Sequence, residues 1–78
     1  MSKLIDFPDL DTAIDAESWQ WLQDAAPSYA DAVAAEVKRG HAPGDIRQRF
    51  MRLTQRPALA LRLEQAARHL RRQRQEAQ

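Results

Sequence analysis

Apolar positions recur at spacings of three and four along almost the whole chain, and the strict alternation of half-buried strands is nearly absent. The pattern predicts an all-α protein, a small three- to four-helix bundle with an N-terminal strap. The strap is residues 1–14, "MSKLIDFPDLDTAI", whose Leu4, Ile5, Phe7, Leu10 and Ile14 are too apolar for a free tail. Pro8 suits the first position of a short helical turn over 9–13. The bundle occupies 15–75, with helices at about 15–26, 28–39, 44–54 and 57–74, and 75–78 form a frayed tail.

Local signals set these limits. Asp15 is a suitable N-cap, and Ile14 with Trp19 matches a hydrophobic staple. Trp19, Leu22 and Ala26 share one face of the first helix, and Pro27 ends it. Trp21 lies round the helix from Trp19, so it is either a lid over the strap or a partly exposed binding anchor. Ser28 can cap the second helix, which buries Ala30, Val33 and Val37 and stops at Gly40. Pro43 and Asp45 suit the start of the third, with Ile46, Phe50 and Leu53 facing inward and Met51 alongside. Inside a continuous helix Pro57 would cost ~3 kcal/mol, so a break at "TQR" with Pro57 opening a new helix is expected. There Leu59, Leu63, Ala66 and Leu70 alternate steps of four and three, a seam that stops at Gln73.

At 78 residues the chain is one small domain with a thin stability margin. It has no cysteine, which excludes disulfides and thiolate metal sites. No apolar run approaches the ~20 residues of a membrane span. Aspartates stand where a secretion signal needs an apolar stretch, so the expected setting is cytoplasmic. The net charge of +1 hides an asymmetry: residues 1–39 carry three cations against eight acids, and residues 40–78 carry nine arginines against three acids. Either the halves neutralise each other on packing, or the basic half meets an acidic partner.

The side chains give little support to catalysis. His41 and His69 are far apart, His41 and Asp45 offer only two metal ligands, and no hydroxyl sits in a nucleophile signature. No Gly-rich phosphate loop is present, and so small a bundle has little room for a deep pocket. No enzyme, cofactor, metal or small-molecule substrate is expected.

Two binding functions remain. One is protein docking by an adaptor or inhibitor, acting on a protein partner or on itself as a homodimer. Leu61 falls opposite the seam, near Arg68, Arg71 and Arg72, and Trp21 adds a second anchor, since aromatic and arginine residues dominate interface hot spots. The alternative is nucleic-acid binding through phosphate contacts from Arg68, Arg71, Arg72 and Arg74. "APGDIRQRF", a turn and "RPALALRL" have helix–turn–helix order, but Pro57 to Leu61 are too apolar to read base edges.

Overall fold

Three prolines stand at helix starts. In the computed structural model, which describes residues 7–76 and their side chains from Leu10 onward, α1 runs Phe7–Ala25, α2 Pro27–Lys38, α3 Pro43–Thr54 and α4 Pro57–Glu76. Pro27, Pro43 and Pro57 each take the first helical position, where the missing N–H has no intrahelical partner to lose and φ is already set. Four helices and no strand are present among the described residues, an all-α bundle. None of these helices is long and apolar enough to cross a membrane.

Several expected boundaries move. Residues 7–14 are the first two turns of α1 rather than a strap, and residues 1–6 lie outside the described residues. Asp15 is therefore not an N-cap. It sits in the third turn, 1% exposed, because its carboxylate finds partners on α4 rather than on the backbone of its own helix. The staple of Ile14 on Trp19 lapses with it, since both are mid-helix. Ser28 is one residue inside α2, which begins at Pro27 with Ala26 in the cap position and no side-chain cap. At the other end α4 includes Gln75 and Glu76, expected to fray, while 77–78 lie outside the described residues.

The helix ends use left-handed residues. Gly40 has φ +93°; its N–H donates to the Val37 carbonyl and the His41 N–H donates to the Glu36 carbonyl. This paired closure needs a residue free to adopt positive φ, and glycine does so without a Cβ penalty. At the end of α3 the same conformation falls on Gln55, φ 56°, whose N–H donates to the Met51 carbonyl. Thr54 Oγ1 reinforces the turn by donating to the Phe50 carbonyl and accepting from the Arg56 N–H.

The last helix is the centre of the fold, packing against each of the other three. Ser18, Trp21 and Asp15 of α1 meet Gln65, Arg62 and the Arg68–Arg72 pair, so ascending numbers on one helix meet descending numbers on the other and the two are antiparallel. Arg47 reaches Glu64 across the short 55–56 turn, so α3 is antiparallel to α4 as well. The core gathers Leu22, Ala30, Val33, Val37, Ile46, Phe50, Leu63, Ala66 and Ala67. Leu63 and Ala66 of the predicted seam are fully buried, with Leu59 and Leu70 partly buried at its ends. Ala60, Ala66 and Ala67 show no exposed surface, so three neighbours can approach α4 closely. Tyr29 meets Phe50 edge to face, with ring centres 6.1 Å apart. Leu53 departs from its expected place: in the last turn of α3 it is 69% exposed. Met51 is also exposed.

Candidate functional site

Two of the arginines expected on an outer docking or phosphate-binding face are held inside the molecule's own polar network. Arg68 donates from Nε and Nη2 to the two Asp15 carboxylate oxygens at 3.2 Å each, and from Nη1 to Glu64 at 3.1 Å. Arg72 Nη2 donates to the same Asp15 at 2.6 Å. Glu64 also accepts from Arg47, so the network ties α1, α3 and α4 together. One turn along α1, Ser18 Oγ donates to Gln65 Oε1 at 2.6 Å. Burying a carboxylate is tolerable only with such partners. The hydrogen bond to Asp15, outweighing burial, holds the Arg68 guanidinium above its ordinary value. Arg72 keeps one buried nitrogen, Nε, without a hydrogen-bond partner.

A second network sits at the α2–α3 junction. Glu36 is buried, and His41 Nδ1 lies on its carboxylate, brought there by the Gly40 turn. Arg39 and Arg49 stand 3.7 Å from its other oxygen. The His41 hydrogen bond holds the Glu36 carboxyl below its ordinary range against the cost of burial, and the charges of Arg49, His41 and Arg39 add to the effect. This histidine therefore closes a helix end. Asp15, Ser18 and Glu36 were the buried polar groups that the sequence reading missed. A signal was present: Asp15, Ser18 and Leu22 follow one another at spacings of three and four, the spacing of a buried stripe.

The apolar anchors remain on the surface. Trp21 and Leu61 are each 39% exposed. The Arg62 guanidinium lies over the Trp21 ring, 4.6 Å from its centre, which fixes the indole in place. Trp21, Ala58, Leu59, Arg56 and Arg62 line a shallow depression of about 350 Å³ between α1 and α4. Leu61 stands one turn beyond Ala58 on α4. The register that joins Arg47 to Glu64 brings Met51, one turn on, to the level of Leu61.

Arg71 and Arg74, the remaining pair of the four arginines, are exposed and make no ion pair among the described residues. They lie elsewhere, at the junction of α2 and α4. There Ala34, Val37, Lys38, Leu70, Gln73 and Arg74 line a groove of about 320 Å³. Beside it Val37, Gly40, His41, Arg71, Arg74 and Gln75 line a second depression of about 200 Å³. The structure thus divides the five expected docking residues into two groups. Trp21 and Leu61 flank one end of α4, whereas Arg68, Arg71 and Arg72 line one depression with Pro43, Glu64 and Gln75, Arg68 and Arg72 being committed to Asp15 and Arg71 also reaching the α2 side. Compared with protein-family models, with curated proteins and with solved structures, the chain finds no match in any of the three.

Proposed function

We propose that this chain is a small interaction module, an adaptor or inhibitor that works by docking on another protein rather than by catalysis. The observation that carries this reading is the depression lined by Trp21, Ala58 and Leu59, with Leu61 exposed one turn beyond Ala58 on α4. A tryptophan held in place by a stacked guanidinium is a pre-ordered anchor, with little rotamer freedom left to lose on binding. Next to it lie a shallow apolar depression and an exposed leucine. Arg56 and Arg62, which make no ion pair among the described residues, supply an orienting rim. Phosphate binding makes no use of Leu61 or Met51, and the Trp21 face that could stack a base is covered by Arg62.

The test places a photo-crosslinking amino acid at position 61, at position 58 and, as a control, at exposed Gln23, in cells that make the protein. Positions 58 and 61 should give the same protein adduct, unchanged by nuclease, and position 23 should not. Leu61→Ala should weaken the purified complex while leaving the thermal melt nearly unchanged. Adducts lost on nuclease treatment, or given equally by position 23, would overturn the docking face.

A further inference from the structure

The groove between α2 and α4 shares no lining residue with the Trp21 depression. Leu61 and Leu70 are nine residues apart on α4, and at about 3.6 residues per turn they point in opposite directions. The floor of the groove is Ala34, Val37 and Leu70, and its rim holds Lys38 and Arg74, with Arg71 and His41 in the adjoining depression. No carboxylate lines either depression among the described residues. Glu36 is turned inward onto His41, Glu64 is paired with Arg47 and Arg68, and Asp31 and Glu76, the other acids of these two helices, line neither surface. Lys38, Arg71 and Arg74 make no ion pair among the described residues, in contrast to Arg39, Arg47, Arg49, Arg68 and Arg72.

Helix dipoles explain part of this. Lys38 and Arg74 occupy the last turns of α2 and α4, where a cation is favoured by the exposed carbonyls. They do not explain an apolar strip running between those cations, nor Arg71, a turn and a half before the end of α4. A solvated helix end needs charge alone. A strip of Ala34, Val37 and Leu70 under three unpaired cations is complementary to a segment that carries apolar residues on one face and carboxylates beside them.

We propose that the α2–α4 groove binds an acidic amphipathic helix of a partner protein. Its apolar residues lie on Ala34, Val37 and Leu70, and its carboxylates meet Lys38, Arg71 and Arg74. The site shares no lining residue with the Trp21 depression and lies further along α4, so a chain holding both partners bridges them.

The probe is a fluorescein-labelled helical peptide of about four turns, with leucine at spacings of four and three and glutamate at the flanking positions. Its controls are the same leucines with lysine for glutamate, the same glutamates with alanine for leucine, and a random DNA duplex. Anisotropy with the full chain should show the glutamate–leucine peptide binding at least about tenfold tighter than either peptide control. Arg71→Gln with Arg74→Gln should weaken it by about tenfold or more, whereas Leu61→Ala should leave it unchanged. Lys38→Glu with Arg74→Glu should reverse the preference towards the lysine peptide, an exchange that loss of folding cannot produce. The proposal is overturned if neither leucine peptide binds, if the glutamate–alanine peptide or the duplex binds as tightly, or if Leu61→Ala abolishes binding. The last result would place the peptide on the Trp21 face and leave the docking module standing. Sedimentation of the unmixed protein supplies the remaining outcome: a dimer broken by the Arg71 and Arg74 changes would make a second copy the occupant and overturn the partner proposed.

Discussion

Removing Arg68 and Arg72 should damage this protein more than removing the aspartate they bind. Asp15 has a side chain only 2% exposed and accepts three charged hydrogen bonds from the two guanidiniums. With both arginines changed to glutamine, the carboxylate stays buried with its compensation gone, a loss of ~3–5 kcal/mol. With Asp15→Ala, the two arginine side chains, 41% and 35% exposed, can swing their guanidiniums into water, and Arg68 still has Glu64. Alanine also regains roughly 0.5 kcal/mol of helix propensity over aspartate. The net loss is then about 1–2 kcal/mol, two to three charged hydrogen bonds less the rehydration of the arginines. The predicted gap of about 2 kcal/mol corresponds to about 10 °C in midpoint for a domain of this size. Urea and thermal unfolding followed by circular dichroism at neutral pH would resolve it. The sharper consequence concerns the combination: adding Asp15→Ala to the arginine double variant should raise its stability. If the triple variant is no more stable than the double, or if Asp15→Ala alone is the worse change, the desolvation argument fails.

Other perturbations follow from single features. Leu63→Ala opens a cavity in a fully buried seam position and should cost ~2–5 kcal/mol, enough to unfold much of the population at 37 °C; a parental melt would refute its placement. Gln55→Gly relieves a left-handed non-glycine residue, worth ~1–2 kcal/mol, against ~0.5–1 kcal/mol of added chain entropy, so a gain of up to about 1 kcal/mol in urea unfolding is expected. Gly40→Ala meets no atom within 4 Å but must hold φ near +93°, and should lose about 1–2 kcal/mol from backbone strain alone. Because the Glu36 pKa is depressed in the fold, the unfolded chain binds more protons in the acid range. Its contribution is complete above the ordinary glutamate value of about 4.3 and is lost as pH falls through the lower folded value. Glu36→Gln should therefore flatten the acid limb of the stability curve, and an unchanged limb would exclude Glu36 as its source.

The helices were legible because their punctuation is local. Proline at 27, 43 and 57 and glycine at 40 act through their own backbone geometry, and each marks a boundary within a residue or two of the observed one. The seam of α4 was legible for a similar reason, since Leu63 and Ala66 repeat on one face whatever they pack against. Asp15 was read as a cap because its partners are 53 and 57 positions away, and helix-capping preference sees only neighbours. The same distance hid the commitment of Arg68 and Arg72. Leu53 fits its helical stripe but is 69% exposed, because periodicity carries no information on which positions of a stripe a neighbour covers. A wheel of each helix leaves Trp21 and Leu61 outside the buried stripe, but it does not decide whether Trp21 is a lid or an exposed anchor, since that depends on what packs over it; both are 39% exposed. The α2–α4 groove could not be seen without knowing that those two helices pack together.

The position of the hub as the fourth of these helices bears on biosynthesis. α2 and α3 meet only sparsely, α1 and α3 pack mainly on α4, and α4 is translated after all three. A nascent chain carrying the first three helices has acidic and apolar segments but no surface to gather them, so it should emerge from the ribosome unfolded and collapse only when the segment around Leu63 to Arg72 arrives. A premature stop before Arg68 would remove both partners of Asp15 and should yield a product cleared by proteolysis rather than a shortened bundle. A circular permutant that places α4 first would give each following helix a template as it appears, converting an all-at-once collapse into stepwise docking.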